Sequence, residues 1–146
     1  MSVTVDIVGE ATDELLEGLN RLLPQLSSTA SPLAIADLER IVSSATCHLL
    51  VARNDDVIVG ALTLVIFAIP TGVRAWIEDV VVDKGSRGMG VGEALSIAAI
   101  DEARRRGVRS IDLTSRPSRE AANALYRKLG FELRDTNVYR FFIESA

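Results

Sequence analysis

The sequence has very little of the residues that build disulfide frameworks, metal sites and membrane spans. Among its 146 residues there are one Cys and one His, which exclude an internal disulfide framework and leave no set of zinc ligands. The strongest apolar run, Val57 to Ile69, is shorter than the about 20 residues that a membrane-spanning helix requires. We therefore expect no metal and no membrane partner. The lone Cys, without a signal-peptide pattern at the N-terminus, predicts a cytoplasmic protein.

An overall excess of positive charge is also missing. The formal net charge is −4 at pH 7 and the pI is about 5.0, which argues against a nucleic-acid partner. The charges are nevertheless divided unevenly along the chain. Residues 1–73 contain three Lys or Arg against nine Asp or Glu, whereas residues 84–128 contain ten against five. A small polyanionic ligand could therefore bind the second half of an acidic protein.

The length and a hydrophobic content of 48% are typical of one globular domain, predicted to cover residues 1–146. Periodicity predicts the order strand, two helices, three strands, helix, strand, helix and two strands. Asp13 is the predicted cap of the first helix, and Ser31-Pro32 opens the second. Val57 to Ile69 is a predicted buried strand, the last helix is predicted to end at Gly130, and the last strands cover residues 131–133 and 138–143. The predicted fold class is α/β, with a mixed, largely antiparallel sheet of about seven strands, four helices and one parallel, right-handed strand–helix–strand crossover.

A glycine-rich connection joins the predicted strand at residues 74–82 to the next helix. Four glycines lie between Gly85 and Gly92, where unpaired N–H groups and the positive end of the helix dipole can hold phosphate. A tight turn without a ligand is the alternative. A Walker loop is excluded because Glu93-Ala94 follows Gly92. A dinucleotide-binding fingerprint lacks its third glycine, and a single crossover is too few for its doubly wound sheet.

Two motifs stand in the second half of the chain. The first is Arg87-x-x-Gly90-x-Gly92 in the glycine-rich connection, and the second is residues 123–131, Asn-Ala-Leu-Tyr-Arg-Lys-Leu-Gly-Phe, where Tyr126 stands shortly before Leu-Gly-Phe. Both resemble the GNAT superfamily of acetyl-CoA-dependent N-acetyltransferases: the first fits the family's pyrophosphate loop, Arg/Gln-x-x-Gly-x-Gly/Ala, and the second is similar to its later helix and strand start. The spacing of the motifs and the predicted order of elements also agree with a GNAT-like fold over nearly the whole chain.

The resemblance implies acetyl-CoA as the acyl donor and a set of residues that bind it. In such enzymes the strand before the loop parts from its parallel neighbour, so the backbone of Val80 and Val82 would hold the pantetheine arm in the gap. Arg87 would lie beside the pyrophosphate, and Asn123 near the donor, with a solvated helix residue as the alternative for Asn123. The amides around the pyrophosphate would be those of Gly88, Met89, Gly90, Val91 and Gly92.

The resemblance also implies two catalytic groups. Tyr126 would protonate the departing thiolate, since a phenol with a pKa of about 10 stays protonated at neutral pH; the alternative is a Tyr that packs its ring in the core. Glu78 would act as the base or as a carboxylate that holds the substrate, with a structural or solvated carboxylate as the alternative. Strand alternation predicts that Glu78 shares a face with Val80 and Val82. A base that some relatives place near the end of the next strand is missing, because Thr114 occupies that position.

The activity that the resemblance implies is transfer of an acetyl group from acetyl-CoA to a primary amine of a small molecule or peptide by direct attack. A weak acyl-CoA-binding or regulatory module, a longer acyl chain and a hydroxyl acceptor are the alternatives. Dimerisation is common in the family, so a homodimer stays open, as do the roles of Arg116 and Arg119. Cys47 and His48 are not expected to form a catalytic dyad, because adjacent strand residues point to opposite faces.

Overall fold

The structure, a computed structural model, describes residues 2–143. Residue 1 and residues 144–146, the ends of the predicted domain, lie outside the described residues. Contacts along the chain divide it into two units, with the boundary between Thr114 and Ser115. The first unit contains a five-stranded sheet and three α-helices, and the second contains one α-helix.

The elements of the first unit follow the predicted order. Strands β1 to β4 are antiparallel neighbours, whereas β4 and β5 pair in parallel and α3 connects them. The strands are β1 (Val3–Ile7), β2 (Cys47–Asn54), β3 (Val57–Ile69), β4 (Gly72–Val82) and β5 (Ser110–Asp112), and the helices are α1 (Asp13–Leu26), α2 (Ile35–Ser43) and α3 (Val91–Arg105). The prediction of a mixed α/β fold with four helices is confirmed, the fourth helix being α4 (Glu120–Lys128).

Both faces of the sheet carry a hydrophobic core in the first unit. On one face α1 and α2 pack against the strands, and this core contains Leu15, Leu19, Leu22, Leu38, Leu49, Val51, Ile58, Ala61 and Val81. On the opposite face Gly60 lies against Val91 and Leu95 of α3. Because β3 is covered on both sides, consecutive residues from Ile58 to Leu62 are all buried. This explains why its sequence is an almost unbroken apolar run rather than an alternation.

The predicted helix starts were wrong by one residue in α1 and by a few in α2. Thr12 rather than Asp13 caps α1, because its hydroxyl accepts a hydrogen bond from the Leu15 N–H at 3.2 Å. Helix α2 begins at Ile35, not at Ser31-Pro32. The reason is a side-chain contact from α1: the Asn20 carboxamide bonds both the N–H and the C=O of Leu33, at 2.7 and 3.0 Å. Those backbone groups are therefore engaged outside the helix.

The prediction of about seven strands was wrong, because the sheet of the described residues has five. Residues 131–133 and 138–143 form no strand. Apart from the half-buried Phe131, their large apolar side chains are exposed, with Leu133 at 99% and Tyr139 and Phe141 at 87%. Alternating apolar residues form a strand only when a partner strand and a packed face stabilise it. The described residues of the second unit provide neither for this segment.

Candidate functional site

Strand β4 extends well beyond the part that pairs with β5. The parallel register joins Arg74 to Ser110, Ala75 to Ile111 and Trp76 to Asp112. In the described chain, no register pair joins the rest of β4, residues 77–82, to β5. The strands thus part after Trp76, and the stretch that contains Val80 and Val82 forms an edge on its β5 side. An edge of this kind offers backbone N–H and C=O groups to an extended ligand.

A β-bulge interrupts β4 within this unpaired stretch. Glu78 stands opposite Thr63 and Val81 stands opposite Ala61, so two residues of β4 face the single residue between them on β3. Asp79, in the bulge, has a φ of +51°, a conformation that Asp tolerates better than most side chains. Asp79 and Val80 belong to no register pair among the described residues.

The bulge reverses the predicted orientation of Glu78 relative to its neighbours. Residues directly opposite each other in an antiparallel pair point to the same face. Glu78 therefore shares the face of Thr63, which is also that of Ala61 and Val81 in the α1–α2 core. Val80 and Val82 belong to the other face. The prediction that Glu78 lies on their face was wrong, because an extra residue in a strand shifts the alternation by one.

On the α1–α2 face, burial decreases from β2 towards β4. The register aligns Leu49 with Thr63 and Glu78 in one cross-strand row, and Cys47 with Val65 and Trp76 in the next. In the first row Leu49 is buried, Thr63 is half-buried and Glu78 is exposed. The helices thus leave an open surface over β3 and β4. This open β4 surface is formed by Thr63, Val65, Trp76 and Glu78.

The glycine-rich connection begins directly after β4 and ends in the first turn of α3. A single 3-10 turn, Lys84–Ser86, follows Asp83. Gly88 and Gly90 then adopt left-handed φ angles of +81° and +79°, and Gly90 is the N-cap of α3. A Cβ on either glycine would have no atom within 4 Å. These glycines are therefore required by backbone conformation, and the space beside them is open.

The residues predicted to bind the donor fit an anionic group at this place. Arg87 is exposed beside the open space, Met89 and Gly92 are half-buried, and the Val91 side chain is buried beneath the helix start. The Ala94 N–H donates to the O of the N-cap residue Gly90 at 3.0 Å, and the N–H groups that open an α-helix are those free to bind a ligand. Backbone donors, an exposed guanidinium and missing Cβ atoms together suit a phosphate.

In the second unit, Tyr126 belongs to the motif that ends α4. The Gly130 N–H donates to Arg127 O at 3.1 Å and the Phe131 N–H donates to Tyr126 O at 2.9 Å. With Gly130 at a φ of +102°, these are the two hydrogen bonds of a Schellman motif. The rings of Tyr126 and Phe131 meet edge to face, with centroids 5.7 Å apart. The Leu-Gly-Phe sequence thus has a structural role, and it fixes the ring of Tyr126.

The surroundings of Tyr126 keep its phenol protonated. Burial raises the pKa of Tyr126 above its ordinary value, and the positive charge of Arg119 opposes this shift. Arg116, exposed in the same unit, has its C=O bonded by the Asn123 Nδ2 at 2.9 Å. Asn123 is therefore held by the segment before α4. This contact gives Asn123 a structural role that differs from the solvated alternative, whereas Arg119 acts electrostatically on the candidate acid.

Cys47 and His48 lie on opposite faces of β2, as expected. Cys47 lines a surface depression with Leu33 and Ile41 on the α2 side. His48 faces the C-terminal end of α3: burial lowers its pKa, the charges of Arg106 and Arg105 lower it further, and that of Glu102 opposes them. Among residues 2–143, no group of three or more His, Cys, Asp or Glu could hold a metal ion. In the same range, no helix is long and apolar enough to cross a membrane.

Comparison with known proteins finds relatives in sequence and in structure. A sequence profile of the acetyltransferase (GNAT) family matches residues 13–131. N-alpha-acetyltransferase 30 of Schizosaccharomyces pombe is 33% identical over 76 residues, which are 52% of this chain and 50% of that protein. The chain thus spans about half the length of this curated relative.

Two solved structures superpose over almost the whole chain. An acetyltransferase of Trypanosoma brucei has a TM-score of 0.81 at 27% identity, covering 97% of this chain and 100% of its own. A transcriptional regulator from Bacillus halodurans C-125 has a TM-score of 0.80 at 28% identity, with the same coverage of 97% and 100%.

Proposed function

Because the chain belongs to the acetyltransferase (GNAT) family, we propose that it transfers an acetyl group from acetyl-CoA to a primary amine of a small molecule or peptide. One observation in particular supports this function: β4 and β5 pair only as far as Trp76. The remainder of β4 presents backbone to an extended ligand and continues directly into the glycine-rich loop. An elongated molecule whose extended arm is followed by phosphates matches this sequence of features.

In this proposal the pantetheine arm of the donor lies along β4 and leads to the pyrophosphate at the loop. The backbone of Val80 and Val82 would bind the pantetheine arm, and the amides from Gly88 to Gly92 would bind the pyrophosphate beside Arg87. Acetyl-CoA supplies the acetyl group as a thioester. The bulge leaves Val80 outside the paired register, so its N–H could polarise the thioester carbonyl.

The proton transfers would be carried out by Glu78 and Tyr126. When the amine nitrogen bonds to the carbonyl carbon, the carbon–sulfur bond breaks, the amine loses a proton and the departing thiolate gains one. Glu78 would accept the first proton, directly or through water, and Tyr126 would donate the second. The raised pKa of Tyr126 suits an acid that must remain protonated at neutral pH.

The acceptor would approach over the open β4 surface. The Glu78 carboxylate is exposed there, and the Trp76 indole lies two residues earlier on the same face. A carboxylate and an aromatic ring both attract a cation, so this surface favours an acceptor that carries positive charge. The name of the S. pombe relative, an N-alpha-acetyltransferase, also supports an amine acceptor.

Two substitutions test the catalytic roles. Tyr126→Phe removes the hydroxyl while keeping the ring contact with Phe131, and we expect kcat to fall about 100-fold with little change in acetyl-CoA binding. Tyr139→Phe is the matched control, since Tyr139 is 87% exposed in the same unit. Release of free CoA thiol, measured across a panel of amines, provides the rate. Unchanged turnover of Tyr126→Phe would remove this residue from the mechanism.

Glu78→Gln tests the carboxylate. We expect the acidic limb of the pH–rate profile to disappear if Glu78 is the base, and KM for a cationic amine to rise if Glu78 binds the acceptor. Glu132→Gln, an exposed position in the second unit, should change neither. A wild-type profile and a wild-type KM in Glu78→Gln would leave Glu78 as a structural or solvated carboxylate outside the mechanism.

A regulatory acyl-CoA-binding module is the second candidate, favoured by the name of the B. halodurans protein. It predicts tight acetyl-CoA binding without turnover for any amine in the panel, whereas an enzyme consumes the donor. A homodimer and a cytoplasmic location remain predictions.

A further inference from the structure

Gln25, near the end of α1, contacts the start of the glycine-rich loop through both ends of its carboxamide. Its Nε2 donates to Asp83 Oδ1 at 2.9 Å, and its Oε1 accepts from the Lys84 N–H at 2.8 Å. The partners lie 58 and 59 positions away in sequence, immediately after β4. One side chain thus holds a side chain and the next backbone amide at the point where the strand becomes the loop.

Asp83 is also fixed through its backbone. Its N–H donates to Val59 O on β3 at 2.8 Å, and its C=O accepts from the Ser86 N–H at 2.8 Å. The main chain therefore sets where the loop leaves the sheet, but it leaves the Asp83 carboxylate and the Lys84 amide to be satisfied by another group. Gln25 supplies the complementary donor and acceptor.

We propose that Gln25 is a positioning residue that pre-organises the loop at residues 83–92 for the donor; this inference rests on the proposed function. Beyond Ser86 the loop contains Gly88, Gly90 and Gly92, whose backbone freedom makes ordering costly. A contact that orders the first turn of the loop in the free protein reduces the conformational entropy that the loop loses when the donor binds. Gln25 would thus affect donor affinity without contacting the donor.

Gln25→Leu removes both hydrogen bonds at similar side-chain volume. We expect the dissociation constant for CoA, measured by titration calorimetry, and KM for acetyl-CoA to rise about five- to tenfold. At saturating donor, kcat should stay within about twofold, because Gln25 touches no reacting atom.

Asn20→Leu is the matched control. Asn20 lies on the same helix and makes the same pair of carboxamide contacts, to the N–H and C=O of Leu33. Asn20→Leu loses the same number of hydrogen bonds at a comparable cost in unfolding free energy, but the partner residue, Leu33, lies between α1 and α2. We expect the dissociation constant for CoA to be unchanged in this variant.

A charge exchange separates positioning from general destabilisation. Gln25→Glu keeps an oxygen that accepts the hydrogen bond from the Lys84 N–H, but it places a second carboxylate against Asp83. The affinity for CoA should therefore fall. Asp83→Asn alone should have little effect, because its carbonyl oxygen still accepts from Gln25. The double variant Gln25→Glu/Asp83→Asn regains both hydrogen bonds, because the side chain at position 83 now donates a hydrogen bond and the side chain at position 25 accepts it. We expect its CoA affinity to return to within about twofold of wild type, a coupling that a double-mutant cycle measures.

Amide hydrogen exchange of the free protein gives a readout without donor. Exchange at residues 83–88 should accelerate in Gln25→Leu and return towards wild type in the double variant. Wild-type CoA affinity in Gln25→Leu, or no recovery in the double variant, would overturn the inference while the proposed function stands. Absence of acetyl-CoA binding by the wild-type protein would overturn the proposed function, and this inference with it.

Discussion

At Gly60 the sheet and the start of α3 approach each other closely, so substitution there should disturb both stability and the loop. A Cβ on Gly60 would lie 2.8 Å from Val91 Cγ1, 3.1 Å from Leu95 Cδ1 and 3.1 Å from Val81 O. The last of these atoms belongs to the backbone, and the β-branched Val91 has one strongly preferred rotamer in a helix. Gly60→Ala must therefore move the first turn of α3 away from β3.

The expected cost follows from the size of this overlap. Ordinary contacts of a Cβ begin at 3.4 Å, and inserting a methyl group into a packed core costs about 1–3 kcal/mol. For a domain of this length, each kcal/mol lowers Tm by about 3 °C, so Gly60→Ala should melt roughly 3–9 °C lower. The displaced turn carries the Val91 amide, so KM for acetyl-CoA should also rise if the proposed function is right.

Thermal melts followed by circular dichroism, urea unfolding and donor kinetics test this expectation. Gly9→Ala is the control, because a Cβ there has nothing within 4 Å, and its unfolding free energy should be unchanged or up to about 1 kcal/mol higher. A Gly60→Ala protein as stable as wild type, with unchanged KM, would show that α3 is not seated on Gly60 as described.

Substitutions at three further positions test the stability of the first unit. Gly88→Ala places an L side chain at a φ of +81° with no steric neighbour, so unfolding in urea should show a loss of about 1–2 kcal/mol from backbone strain alone. Thr12→Ala should cost about 1 kcal/mol by removing the α1 cap, whereas Thr12→Ser should retain most of that free energy. Hydrogen bonds from Arg105, joined by those from Arg106, hold the pKa of Glu102 below its ordinary value, against the effect of burial. A lowered carboxyl pKa stabilises the fold above the unfolded pKa of about 4.3, and that contribution is lost as pH falls through the folded pKa. Glu102→Gln should therefore be less stable than the wild-type protein at pH 7, and the difference in unfolding free energy should shrink below about pH 4.

Periodicity and capping predicted the parts of the fold that local sequence determines. Strand β3 was predicted at Val57–Ile69 and is found there, because its apolar run between turn residues has few alternatives. The stop of α4 at Gly130 was predicted from the glycine that its left-handed C-terminal turn requires. Helix starts were less predictable, since Thr12 and Asp13 are both good caps and only the structure shows which side chain bonds the helix.

The features that escaped prediction depend on contacts between distant residues. The β4 bulge is visible only from the register with β3, so strict alternation misplaced Glu78. Nothing near Gln25 in sequence indicates its partners at Asp83 and Lys84. Residues 131–143 have a strand-like pattern, but no neighbouring strand pairs with them in the described second unit. In each case the structure depends on whether a residue distant in sequence makes a contact, and the local sequence pattern does not show this.

The bulge at Asp79 divides β4 into two differently oriented surfaces within a few residues. Before it, Trp76 and Glu78 point to the open surface on the α1–α2 face; after it, Val80 and Val82 lie on the edge that has separated from β5. A regular strand would have kept Glu78 and Val80 on one face, where an acceptor and a donor arm would compete for the same space. Under the proposed function, with the alternation shifted, an amine held at Glu78 and a donor bound along the β4 edge would approach from different directions and meet at the bulge. Such an arrangement would suit direct attack, in which the nucleophile must reach the carbonyl carbon while the donor remains bound.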